Sequence, residues 1–166
     1  NQAILILAER GDAQGIKLAA AMETGEMTYA VHSFQNPVFK DLLKHPDEPV
    51  RLRAADSLTM MGDPDALTVL LGALSKATPE EKHSHGAYLR DVRDPRFEKL
   101  LIEAVKKNDF ALLEHLSNQR TEAAAMALSP LIQHADRGIR QNAVMALGNT
   151  RQPRAAAILS ERLKLL

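Results

Sequence analysis

Residues 47–58 read DEPVRLRAADSL, and residues 136–147 read DRGIRQNAVMAL. The two segments match when laid over each other, and the match continues through a turn into a second apolar segment. The coinciding pairs are Val50 and Ile139, Arg51 and Arg140, Ala54 and Ala143, Leu58 and Leu147, Pro64 and Pro153, Ala66 and Ala155, Leu70 and Leu159, and Leu74 and Leu163. A match over two successive segments indicates an internal repeat.

The repeat extends along the chain with a period of about 30 residues. Its turns are predicted near residues 11, 62, 93, 120 and 151, and the first interval is longer than the others. We expect one continuous domain over residues 1–166 with an insertion at 24–46, in which residues 37–44 form an extra helix. The predicted repeats are residues 1–23, 47–77, 78–107, 108–135 and 136–166.

Each copy is predicted to be a pair of helices. Four prolines stand where a first helical turn begins, and three of the residues before them are typical N-caps. The cap and proline pairs are Asp63 and Pro64, Thr78 and Pro79, Asp94 and Pro95, with Gln152 before Pro153 as the fourth. Apolar residues such as Leu67, Leu70 and Leu74 recur at intervals of three and four, which gives each helix one buried stripe.

The pattern D-x-P-V-R-x-x-A-A-x-x-L-x-x-x-G-D-P-x-A-x-x-x-L-L-x-x-L resembles the short HEAT-like repeat of the phycobilin-lyase type. The resemblance covers residues 47–107 and 136–165 well, and residues 1–23 and 108–135 more weakly. It implies an all-α fold, an α–α superhelix or HEAT/armadillo-like solenoid of about five helix pairs. It also implies a structural role for Arg51 and Arg140, whereas the residues alone leave open a ligand contact or an ion pair with a neighbouring helix pair.

Composition argues against most enzyme and metal classes. Lys and Arg number 21 and Asp and Glu number 21, so no overall field draws the chain to nucleic acid or an anionic membrane. Cysteine is absent, and neither a G-x-S-x-G elbow nor a phosphate-binding G-x-x-x-x-G-K-[ST] loop occurs. His83 and His85 would point about 200° apart on a helix and could not share a metal ion. We therefore expect no catalytic, cofactor-binding or metal-binding residues.

Arginines recur at the turns of the last three repeats. Arg93, Arg120 and Arg151 align with Gly62, while Arg96 and Arg154 align with Asp65. Stacked repeats would align these side chains as a basic ridge that binds an acidic protein surface or phosphate. The alternative is that each cation only complements the carbonyl end of a helix dipole. Exposed positions on second helices add further candidate contacts, Lys99 and Glu103 together with Thr68 and Gln133.

These features favour a non-catalytic protein–protein interaction scaffold or adaptor that is part of a longer, cytoplasmic protein, with the periplasm left open. Two alternatives remain, a chromophore-binding lyase or isomerase of the HEAT-like type and a helical-repeat nucleic-acid-binding protein. The apolar ends, residues 3–7 and 163–166, carry no polar cap, which predicts self-association through the end faces or continuation of the array. No apolar run is long enough to span a membrane.

Overall fold

The computed structural model describes residues 13–34 and 38–164, and regular structure in these ranges is helical throughout. The chain forms two compact units, Asn1–Lys76 (the N-terminal unit) and Ala77–Leu166 (the C-terminal unit). The predicted all-α class is confirmed. Residues 3–7, the turn near residue 11, and Leu165 and Leu166 lie outside the described residues, so the prediction about the two apolar ends stays a prediction.

The N-terminal unit is built around a central helix that packs on the helices before and after it. Its helices are α1 (Ala13–Ala20), α2 (Thr24–Phe34), α3 (Val38–Asp41) with a 3₁₀ turn (Leu42–Lys44), α4 (Glu48–Met60) and α5 (Pro64–Leu74). The central helix α4 contacts α2, the 3₁₀ turn and α5. Met27, Phe39 and Leu70 are fully buried between them, so the apolar stripes of several short helices share one core.

The C-terminal unit repeats this arrangement with more helices. They are α6 (Pro79–Gly86) with a 3₁₀ turn (Ala87–Leu89), α7 (Pro95–Lys106), α8 (Leu113–Gln119), α9 (Glu122–Leu128) with a 3₁₀ helix (Ser129–Gln133), α10 (Arg137–Asn149) and α11 (Pro153–Leu163). Helix α8 contacts α7, α9 and α10. Phe97, Leu116 and Leu147 are buried at the centre.

The predicted helix starts are confirmed, because α5, α6, α7 and α11 begin at the four prolines. The carboxylates of Asp63 and Asp94 accept backbone N–H groups of the first turn, and Thr78 with Glu81 completes a reciprocal capping box. Gln152 does not cap α11, and its side chain instead donates to a neighbouring turn. Prolines and capping residues therefore set where these helices begin. Gln152 is the exception, because its side chain contacts another turn and not the first turn of its own helix.

Arg51 and Arg140 have the same structural role in the two units. Nη1 of Arg51 donates to the carbonyl oxygens of His45 and Pro46 at 2.7 and 2.8 Å, and Nη1 of Arg140 donates to those of His134 and Ala135 at 2.7 and 2.6 Å. Both arginines thus bind the carbonyl groups that follow a 3₁₀ helix, not the carboxylates of a neighbouring helix pair. These contacts give both arginines the structural role that the family resemblance implies.

The segment predicted as an insertion is helical over most of its length. The extra helix predicted for residues 37–44 is found from Val38 to Lys44, with Pro37 outside the described residues, and α2 is an additional helix that packs on α4. Nζ of Lys40 lies 2.7 Å from Oδ2 of Asp63, the N-cap of α5. Residues 42–51 (LLKHPDEPVR) also match residues 131–140 (LIQHADRGIR), a continuation of the original register. The division into one domain, five repeats and an insertion stays a prediction.

The expected leucine spine is largely buried. Leu58, Leu70, Leu89, Leu101 and Leu147 are each no more than 7% exposed, whereas Leu159 on α11 is only half-buried. The small residues Ala54 and Ala143 are fully buried where α4 and α10 pack against their neighbours. In the described residues, no helix is long and apolar enough to cross a membrane.

Candidate functional site

The turn edge of the C-terminal unit is formed by three turns that each join the two helices of a pair. Arg93, Arg120 and Arg151 lie on these turns, and all three side chains are exposed. We call these three residues the arginine ridge.

Hydrogen bonds from side chains to main chain hold the three turns beside one another. Nε2 of Gln119 donates to the carbonyl oxygen of Val92 at 2.9 Å, which ties the second turn to the first. Nε2 of Gln152 donates to the carbonyl oxygen of Arg120 at 2.5 Å, which ties the third turn to the second. The arginines therefore occupy consecutive, directly connected turns on one edge.

Two of the ridge residues have a backbone conformation that favours glycine. Arg120 and Arg151 have φ values of 54° and 56°, and the aligned residue of the N-terminal unit, Gly62, has a φ of 79°. For a residue with a Cβ, this left-handed backbone conformation is about 1–2 kcal/mol less favourable than the right-handed one. Arg93 does not share this conformation, since the described non-glycine residues with positive φ are Asn108, Arg120 and Arg151.

The two other predicted arginines are already paired with carboxylates. Nε of Arg96 lies 3.0 Å from Oδ1 of Asp94, and the Arg96 guanidinium holds the pKa of that carboxyl below its usual range. Nη1 of Arg154 lies 3.6 Å from Oε1 of Glu122. Carboxylates thus offset the charge of the second-helix arginines.

Lys99 and Glu103 are exposed on α7, one turn apart, and lie away from the turn edge. Oε1 of Glu103 lies 2.8 Å from Nζ of Lys106, which lowers the pKa of the Glu103 carboxyl. Thr68 lies in the N-terminal unit, where its hydroxyl donates to the carbonyl oxygen of Pro64. Gln133 is exposed at the end of a 3₁₀ helix.

A groove that the sequence patterns missed lies beside first helices of the C-terminal unit. It has a volume of about 340 Å³, at the lower end of the range for ligand pockets. Side chains from α6, the loop before α8, α8 and α10 line it, including His83, Phe110, Glu114, Asn142, Met145 and Asn149. The only sequence signal was the spacing of Asn142, Met145 and Asn149, which places them on one face of α10.

Next to the groove, His115 is buried with 4% of its surface exposed, and its ring centroid lies 6.0 Å from that of Phe97. Burial lowers the pKa of the imidazole, because the charged form would lose its hydration. Oε1 of Glu114 lies 3.6 Å from Nε2 of His115. At neutral pH the Glu114 carboxylate thus faces a neutral ring and not a cation.

His, Asp and Glu side chains are common in the sequence but do not cluster in the part of the chain that the structure describes. Within residues 13–34 and 38–164, no cluster of three or more His, Asp or Glu side chains could hold a metal ion. The turn edge presents cations, and the groove presents mixed polar and apolar groups.

No curated protein and no solved structure matches the chain. A family model described as HEAT repeats matches residues 1–90 and 95–165, which agrees with the paired helices seen in both units. HEAT repeats commonly act as protein-interaction scaffolds and are typically non-enzymatic. With nearly all of its length matched by that model, the chain belongs to the HEAT-repeat family.

Proposed function

We propose that this protein is a non-catalytic scaffold that binds an acidic segment of a partner protein along the arginine ridge. The observation that carries the proposal is the presence of arginine at two left-handed turn positions, where Gly62 occupies the equivalent place in the N-terminal unit. Exposed charge on three consecutive, connected turns supports it.

The helix dipole does not account for these arginines by itself. A cation near the last turn of an exposed helix contributes about 0.3–1 kcal/mol. The left-handed backbone of a residue with Cβ costs about 1–2 kcal/mol. Glycine would also cost about 0.4–1 kcal/mol through its greater freedom in the unfolded chain, so folding alone gives neither residue a clear advantage at positions 120 and 151. A role in recognition explains why arginine occupies both positions.

The spacing of the turns suits an extended acidic chain. Packed helices lie about 8–10 Å apart, so three turns span about 20 Å. An extended polypeptide advances about 3.3 Å per residue, and about six or seven residues would therefore cover the ridge. An acidic segment of that length could contact all three guanidinium groups, each of which can bind a carboxylate through two N–H donors.

The test separates recognition from stability. We would combine Arg120→Gly and Arg151→Gly with Arg93→Gln and measure binding of a fluorescein-labelled glutamate-rich octapeptide by anisotropy at low salt. Glycine relieves the strain at both turns, while its greater freedom in the unfolded chain costs about 0.4–1 kcal/mol. The melting temperature should therefore stay nearly constant, whereas affinity should fall at least about tenfold.

A matched control removes three positive charges elsewhere, by Lys44→Gln, Lys107→Gln and Arg137→Gln, at exposed positions off the turn edge. The control should bind the acidic octapeptide nearly as well as the unmodified protein. Equal binding by the ridge variant, or equal loss in the control, would show that the ridge has no specific role. Binding of a single-stranded oligonucleotide in place of the peptide would assign the ridge to nucleic acid.

A further inference from the structure

The lining of the groove in the C-terminal unit combines apolar and polar side chains. Phe110 and Leu113 contribute apolar surface from the start of α8 and the loop before it, and Met145 contributes it from α10. Met145 is 61% exposed, so its apolar surface is accessible to a ligand. Its flexible thioether can adapt to an incoming apolar chain.

No Lys or Arg is among the described residues that line the groove. Glu114 is the single carboxylate among the described residues that line it, and its side chain is 79% exposed. Lys82 and Asp109, which adjoin the lining residues His83 and Phe110 in the chain, hydrogen-bond to each other. Lys82 is thus paired with another carboxylate, while Arg90 is the cation near His115, the chain neighbour of Glu114.

Two amide side chains are also among the polar residues that line the groove. Asn142 and Asn149 are both exposed, and a separation of two helical turns places them on the same face of α10 as Met145. Each side chain offers a carbonyl acceptor beside an NH₂ donor. Together with the Glu114 carboxylate, the lining therefore presents several hydrogen-bond acceptors beside apolar side chains.

From this arrangement we propose that the groove binds an extended segment of a partner protein through an arginine side chain, whose guanidinium pairs with Glu114. The aliphatic stem of an arginine can pack on apolar surface while its charged end binds polar groups. Phe110 and Met145 supply such apolar surface in this groove. Its five N–H donors match carboxylate and amide oxygens better than the compact ammonium of lysine does. This surface selects the opposite charge from the arginine ridge, and the inference does not rest on the proposed function of the ridge.

The experiment selects ligands without assuming a partner. A display library of random heptapeptides is panned on the full chain, and the enriched peptides are then measured individually by fluorescence anisotropy. We expect enrichment of peptides with one arginine flanked by apolar residues. Their affinity should fall about tenfold with Glu114→Gln, which keeps the shape and removes the charge, and also with Met145→Ser, while replacing the peptide arginine by citrulline should cause a similar loss.

Two controls accompany these variants. Glu161→Gln removes an exposed carboxylate on α11, away from the groove, and should leave peptide affinity unchanged. The ridge variant Arg93→Gln, Arg120→Gly and Arg151→Gly should also keep affinity for the arginine peptides, so that failure of one surface is distinguishable from failure of the other.

Three results would overturn the inference. The first is selection of peptides without enriched arginine. The second is selected arginine peptides that bind Glu114→Gln as tightly as the unmodified protein. The third is concentration-dependent self-association that Met145→Ser abolishes, since the groove would then accommodate a second copy of this chain.

Discussion

Gly86, the last residue of α6, is the position where a single methyl group should test the packing of the C-terminal unit most sharply. Its φ and ψ of −55° and −36° are helical, so alanine would be favoured by intrinsic propensity, by at most about 1 kcal/mol. A Cβ at this position would lie 3.1 Å from Nε2 of His115 and 3.2 Å from Cδ2 of Leu112. Optimal separations are about 3.5–4.0 Å, and both neighbours are only 4% exposed.

Because neither neighbour can move into solvent, we expect crowding to outweigh propensity. Overpacking of a well-packed site costs about 1–3 kcal/mol, so Gly86→Ala should lower the free energy of unfolding by about 1–2 kcal/mol. Gly72 in α5 is the matched control, since a Cβ there has nothing within 4 Å. Gly72→Ala should raise the free energy of unfolding by about 0.5–1 kcal/mol, the opposite sign.

The assay is urea unfolding followed by circular dichroism, with the thermal midpoint as a second measure. For a chain of this size, 1 kcal/mol corresponds to a shift of about 2–4 °C. A double-mutant cycle with His115→Ala identifies the cause, because removal of the ring should relieve the crowding and give a coupling of about 1 kcal/mol. If Gly86→Ala stabilised the protein as Gly72→Ala does, or if the cycle were additive, the packing argument would be refuted.

The remaining predictions concern a buried imidazole, a repeated arginine contact and the two recognition surfaces. Burial lowers the pKa of His115, with Glu114, Arg90 and His83 as its charged or titratable neighbours, so the unfolded chain binds more protons below the ordinary histidine pKa of about 6.5. The stability that the neutral His115 ring contributes is therefore present above that pH and lost below it. The urea midpoint should fall from pH 7.5 to pH 5.5 by more in the unmodified protein than in His115→Gln. Equal falls in the two proteins would contradict this. Arg140→Gln should cost about 1–2 kcal/mol through the lost hydrogen bonds to His134 and Ala135, and Arg51→Gln should cost a similar amount, without loss of peptide binding. A change below about 0.5 kcal/mol in either variant would show that these contacts contribute little. The ridge variant should lose the acidic peptide and Glu114→Gln the arginine peptide, each without affecting the other.

The turn positions of the arginine ridge could be predicted from alignment of the repeats, but their geometry could not. Arg93, Arg120 and Arg151 share one position in the repeat register, yet only the last two have left-handed backbone. The difference depends on how each preceding helix ends. α8 ends at Gln119, directly before Arg120, whereas the helical segment before Arg93 ends in a 3₁₀ turn at Leu89. The register predicts a turn and does not distinguish these two endings.

The groove illustrates a different limit. Glu114 and Met145 are distant in the sequence, and neither belongs to a motif, so their joint presence on one surface follows from the packing of α8 against α10. The same is true of α2, whose weak pattern did not predict a helix but whose Met27 and Ala30 are fully buried in the N-terminal unit. Burial supplied by neighbouring helices, and not intrinsic propensity, stabilises such a segment.

The sequence by itself determined the helical class, the helix starts at Pro64, Pro79, Pro95 and Pro153, and the buried stripes, because caps, prolines and apolar spacing act within a few residues. The polar groups that meet across helix pairs follow from tertiary packing and not from any local pattern. Gln152 donates to the carbonyl of Arg120, and Lys82 pairs with Asp109, at separations of 32 and 27 residues. Such contacts depend on how neighbouring helices pack, which no local pattern in the sequence specifies.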